Sequence, residues 1–322
     1  MRAFTSWAAL VVLACDARVC PDESGRATEL PARLSQTGLF ADSSLEQVAP
    51  GVFSYLPEFT LWSDGAEKRR WVFVPAGSHV DTSDADDWSF PQGTKFWKEF
   101  SVAGRRIETR LLEKFGPQPA DWAAVAYIWR ADLSDAERSP YGALDVLGTE
   151  HDVPAAGECF ACHSGRRDRV LGFSAIQLAP RSYDSGERLS REASEALFSE
   201  PVPTLDVPGT PGERAALGYL HANCSHCHNL SDAAKSSGKC LNPTRSLSFD
   251  LDFTLHTEEL ATVERTAARR TAVGKVIRAR RPDESKVVEL MSKRGGSQMP
   301  PLGTEHVDDA GLEIIRAWIL GL

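Results

Sequence analysis

The chain has 322 residues, 42% hydrophobic and 25% charged, the balance of a globular protein with room for two domains at roughly 100–200 residues each. It carries 45 acidic and 36 basic residues, a formal charge of −9, which argues against nucleic acid as a partner because phosphate binding needs a basic face. An acidic surface suits a protein partner with a basic docking patch instead.

At the N-terminus, Arg2 precedes an apolar run from Trp7 to Ala14 that stops at Cys15. A basic start and a short apolar run predict a secretory signal over residues 1–15. The run is shorter than the roughly 20 residues that span a bilayer. Val12-Leu13-Ala14-Cys15 resembles a lipobox, which implies lipidation at Cys15; plain export is the other reading. Either way the expected location is exported, periplasmic or lipid-anchored to a bacterial membrane. Residues 16–30 are polar and read as a tether.

Residues 31–150 are rich in Trp, Phe and β-branched side chains punctuated by Pro and Gly. Trp71-Val72-Phe73-Val74 predicts a strand closed by Pro75-Ala76-Gly77. Phe96 to Val102 predicts another, with a turn at Ala103-Gly104. From Arg106 to Phe115, Ile107, Thr109 and Leu111 fall on one face and Glu108 and Arg110 on the other, the alternation of a half-buried strand. Val125, Tyr127 and Trp129 alternate likewise. This part reads as an antiparallel β domain, a sandwich or a barrel-like meander.

From residue 151 helical patterns take over, and Pro208-Gly209-Thr210-Pro211-Gly212 sets a boundary between segments 151–210 and 211–322. Helices are predicted over Ala193–Phe198, Glu213–Ala222, Ser285–Ser292 and Ala310–Leu320. In the last, Leu312, Ile315, Trp318 and Ile319 form the apolar stripe, and Asp308 or Asp309 caps it.

The chain has seven Cys. Four stand in Cys159-Phe160-Ala161-Cys162-His163 and Cys224-Ser225-His226-Cys227-His228. Cys-x-x-Cys-His is the order that covalent haem attachment requires: two thiols become thioethers and the adjacent imidazole is placed under the ring to bind iron. The expected cofactors are thus two covalently bound haem c groups, with His163 and His228 as iron ligands. A zinc site fits less well, because the roughly 60-residue gap is long for a zinc ribbon and both His would be unexplained. Cys20 and Cys240 are left as a candidate disulfide.

Residues 211–322 resemble a class I cytochrome c domain. The matching marks are His221-Ala222-Asn223 before the motif, Arg281-Pro282-Asp283-Glu284-Ser285, Gln298-Met299-Pro300-Pro301-Leu302-Gly303, and a final helix ending in Ala317-Trp318-Ile319. The resemblance implies Met299 as the distal ligand opposite His228, a soft thioether that raises the potential. It also makes the stretch 230–273 an insertion. For the first haem, His151, Met291, His79, His256 and His306 are candidate distal ligands. His151 is preferred because it lies shortly before His163, beside Pro154; an open position is the alternative. Arg166 and Arg167 are candidate partners for haem propionates or ordinary surface cations, and His226 reads as an exposed spacer.

Residues 35–322 as a whole resemble bacterial dihaem c-type cytochromes, on Leu61-Trp62-Ser63-Asp64-Gly65, Arg106-Ile107-Glu108-Thr109-Arg110, His151-Asp152-Val153-Pro154, Leu171-Gly172-Phe173 and the Met299 segment. The expected fold class is therefore α+β, an N-terminal antiparallel β domain followed by mainly α-helical cytochrome c-type haem domains. The expected function is single-electron transfer between a donor and an acceptor redox protein. Two other functions remain open: a dihaem peroxidase-like enzyme using an open first haem, and a haem-containing binding or sensing module.

Overall fold

The computed structural model describes residues 25–184, 186–230 and 251–322. The signal segment, Cys15, Cys20 and Cys240 lie outside them. Six strands, β1 (Val52–Ser54), β2 (Glu67–Phe73), β3 (Lys95–Val102), β4 (Arg105–Lys114), β5 (Trp122–Trp129) and β6 (Ala136–Ser139), form one antiparallel sheet in sequence order. The β3–β4 turn holds two residues, Ala103 at φ 50° and Gly104 at φ 74°. Positive φ at both positions matches the twist of the flanking strands.

Each sheet face has its own cover. Trp71, Trp97, Leu111 and Val125 pair in one row across β2–β5. They pack on Leu34, Leu39, Phe40 and Leu45 from the segment before the sheet. On the other face, Val72, Phe96, Leu112 and Ala124 form the matching row. Their cover is Phe160, Phe173, Leu178 and Leu197, which belong to the short helices α1 (Ala156–His163), α2 (Ala175–Leu178) and α3 (Arg191–Leu197) and the loops between them. At roughly 1.5–3 kcal/mol per large apolar side chain removed from water, these contacts help to hold segment 156–198 on the sheet.

The chain then runs into α4 (Pro211–Asn223), α5 (Ala267–Ala272), α6 (Lys286–Met291) and α7 (Asp309–Gly321). The Pro/Gly break before α4 is its cap. Thr210 Oγ1 accepts from the Glu213 N–H at 3.3 Å, and Glu213 accepts from the Thr210 N–H at 2.8 Å, with Pro211 in the first turn. That is a capping box with proline where its missing N–H costs nothing. Asp308 caps α7 by accepting from the Gly311 N–H at 2.9 Å. Leu217, Leu220, Ile315, Trp318 and Ile319 form the core between α4 and α7, joined by Leu251, Phe253 and Leu255.

Three sequence expectations change. The chain is not a β domain followed by mainly α-helical haem domains. Among the described residues there are seven α-helices, only α4 and α7 reach 13 residues, and the rest have four to eight. Pro- and Gly-rich loops interrupt the helical patterns, and the first motif segment serves as the second cover of the sheet. The β part is neither sandwich nor barrel but one open sheet. The Arg106–Phe115 strand is not half-buried: Glu108, on its supposed solvent face, is fully buried, because the sheet is covered on both sides.

Candidate functional site

The first motif lies on α1. Ala155 and Glu158 begin the helix, the Glu158 carboxylate accepting from the Ala155 N–H at 2.8 Å. Phe160 is turned into the sheet core, which aims Cys159, Cys162 and His163 at a cavity of about 510 Å³. That lies within the roughly 300–1,000 Å³ of ligand and cofactor sites. His163 Nδ1 donates to the Arg169 carbonyl at 2.6 Å. This fixes the tautomer and leaves Nε2 as the free ring nitrogen, the arrangement in which a histidine binds a metal while its other nitrogen is anchored. Burial pulls the ring's pKa down to about 4, so it is neutral and able to ligate. Burial pushes the Cys159 thiol up to about 12.

The second motif follows α4. Ser225 Oγ donates to the His221 carbonyl at 2.6 Å and the His228 N–H donates to the Cys224 carbonyl at 2.8 Å, winding one tight turn. The His228 ring meets Phe253 edge-on at 5.7 Å. Burial takes its pKa down to about 4 and raises the Cys224 thiol to about 12. Phe253 belongs to the insertion, so residues 251–256 have a structural role against the second motif.

The two motifs touch. A Cβ built on Gly165 would sit 1.7 Å from the His226 carbonyl oxygen. Asn229 Nδ2 donates to Ser225 O at 2.7 Å and to Gly165 O at 3.3 Å. The Cys162 and Cys227 thiols face one another: the Cys227 thiol hydrogen-bonds to the Cys162 sulfur, lowering the Cys162 pKa and raising that of Cys227. His226 is buried beside Cys162 and is not the exposed spacer expected from sequence. All four motif cysteines are free thiols. Among the described residues no group of three or more Cys, His, Asp or Glu gathers as a site for a bare metal ion.

The remaining predicted residues are distributed unevenly. His151 reaches the first cavity, but its Nε2 donates to the fully buried Glu108 carboxylate at 2.8 Å. One of its two ring nitrogens is thus engaged. Met291 is a core residue beneath α7. His256 pairs with Asp252 at 3.1 Å and His306 with Glu150 at 3.2 Å; His79 is exposed. Met299 is half-buried, its N–H donating to Leu290 O at 3.0 Å. Its neighbours Gln298 and Pro300 line the first cavity, whereas Met299 and His228 stand outside that lining. Arg166 lines the cavity and Arg167 pairs with Asp87 at 3.3 Å.

Sequence reasoning missed several cavity residues. His221 is buried, its Nδ1 accepting from the Leu255 N–H at 3.2 Å, with burial holding its pKa well below the ordinary range. Arg70, Lys98 and Arg110 also line the cavity, and only the strand register brings them together. The segment Leu61-Trp62-Ser63-Asp64-Gly65 acts as a strap. The Trp62 N–H donates to Asn223 Oδ1 at 2.7 Å, and Asp64 accepts from the Glu305 and His306 N–H groups at 3.0 and 2.9 Å.

The donor set fits a covalent haem at the first motif: two thiols one helical turn apart, an imidazole with Nε2 free, and an adjoining cavity with apolar walls at Trp88, Phe90, Phe96 and Phe173. Comparison with protein-family models, curated proteins and solved structures returns no match.

Proposed function

We propose that this chain is an exported dihaem c-type cytochrome, with haem attached at Cys159/Cys162 and Cys224/Cys227, His163 and His228 as iron ligands, and Met299 as the distal ligand of the second. Bound haem supplies a one-electron iron couple. The chain's residues hold and separate the two groups. Arg169 O orients His163, Phe253 supports His228, and Gly165 lets the two motifs meet backbone to backbone. That contact carries the proposal, because it favours passing single electrons within one chain between a donor and an acceptor protein. Asp64, Asp152 and Glu305 on the cavity wall suit a partner with a basic patch. Among the described residues no helix is long and apolar enough to cross a membrane.

One observation favours a second reading. His151 is held by Glu108 through Nε2 and reaches the cavity, which places an acid–base pair beside the first haem; where His151 stays on Glu108 instead of binding iron, that haem keeps a position for a small molecule. Intact-mass analysis of the exported protein decides the attachment. Two added haems are expected, one lost in the Cys159→Ala/Cys162→Ala variant and the other in Cys224→Ala/Cys227→Ala. A chain of unmodified mass would overturn the proposal. Spectra of the reduced protein with CO then separate the readings: no CO binding means a carrier, and a CO-binding high-spin fraction means an open first haem.

A further inference from the structure

Arg70 on β2, Lys98 on β3 and Arg110 on β4 are direct cross-strand partners. They form a row of three basic side chains on the sheet face that lines the cavity. Like charges directly opposite one another on neighbouring strands destabilise a sheet, and a cation withdrawn from water needs a partner. At a strand spacing of about 4.7–4.9 Å the row spans about 10 Å. Lys68 lies one row further along the same face, its Nζ donating to Leu61 O at 2.8 Å. The carboxylate facing this row is Glu108, and it is already engaged by Arg110 and by His151. Among the described residues, Arg70 and Lys98 make no side-chain hydrogen bond or ion pair; Lys98 only rests over the Phe100 ring at 4.8 Å.

We propose that Arg70, Lys98 and Arg110 form a binding site for a pair of carboxylates carried on one molecule, at the sheet wall of the cavity. One ligand chemistry has two sources here: the propionates of the haem attached at Cys159 and Cys162, which rests on the function proposed above, or a free dicarboxylate, which does not. The width of the row suits two carboxylates better than one small ion, and the aromatic wall beside it, Phe96 and Phe173, suits the apolar part of such a molecule.

The test uses the full exported chain and the variants Lys98→Met, Arg70→Met and Lys98→Arg. Haem content is read by intact mass, succinate binding by calorimetry, and the haem midpoint potentials by redox titration. A free dicarboxylate site gives saturable succinate binding to the wild type, weakened at least tenfold in both Met variants and kept in Lys98→Arg. A propionate site gives no succinate binding, but the potential of the first haem falls in both Met variants and recovers in Lys98→Arg, since a nearby cation favours the reduced state. The site is overturned if the wild type ignores succinate and no variant moves a potential. A chain without haem sinks the cytochrome reading alone and leaves the succinate result to decide this one. If one Met variant does not fold, the wild-type titration and the other Met variant still decide it.

Discussion

Asp168 pins the first motif to the sheet. Its carboxylate accepts from Lys114 Nζ, from Trp122 Nε1 at 2.7 Å and from the Phe90 N–H at 2.9 Å, all away from water. Removing one member of a buried charge pair leaves the other uncompensated. Asp168→Asn is therefore expected to lower stability by about 3–5 kcal/mol in urea unfolding, and adding Lys114→Met to recover much of that. A double variant no more stable than the single one would show that the pair is not coupled. In the sequence, Asp168 reads only as the end of Gly165-Arg166-Arg167-Asp168, since its partner Lys114 stands 54 residues earlier. The motif residues themselves are legible because their chemistry is local: two thiols and an imidazole at fixed spacing. Lys98 and Arg70 are not, because their meaning depends on which strand lies beside which.

Among the elements, the strands with strong alternation and the capped helices are the legible ones. Trp71–Val74 and Phe96–Val102 fall within or overlap β2 and β3, and the Ala103-Gly104 turn stands where its residues put it. Ala103 adopts φ 50°, a region that costs a side chain with a Cβ roughly 1–2 kcal/mol. Ala103→Gly is expected to raise the stability of the chain by about 1 kcal/mol, read as a higher midpoint of thermal unfolding; an unchanged or lower midpoint would mean the turn is not strained there. The short strands β1 and β6 and the helix α1 escape sequence reading. The first two have three and four residues, too few for a period to register. On α1 the alternation of helix faces is overwritten by the motif's own Cys and His. The Arg106–Phe115 strand was readable as a strand but not in its burial, because alternation of polar and apolar residues looks the same whether the polar face meets water or a lined cavity.

At the scale of the molecule, the sequence marks two halves with different textures but gives no sign that they interlock. The first motif segment covers the sheet, and the second motif presses on the first through Gly165 and His226. Gly165→Ala must open that junction. The expected loss is about 1–3 kcal/mol by overpacking, with weaker magnetic coupling in EPR between the two haems proposed above. Gly212→Ala, where an added Cβ meets nothing within 4 Å, serves as the control that leaves both unchanged or slightly improved. Equal behaviour of the two variants would mean that the junction is loose.

The strap from Phe59 to Asp64 reaches the other half as well. Phe59 lies so close to Gly218 of α4 that a Cβ there would stand 2.0 Å from its ring, while Trp62 and Asp64 hold Asn223 and the loop that follows Met299. The stretch from Thr210 onward is thus not a portable cassette. Shuffled onto another protein it would carry an open groove along α4 and a Met299 loop cut from its anchors.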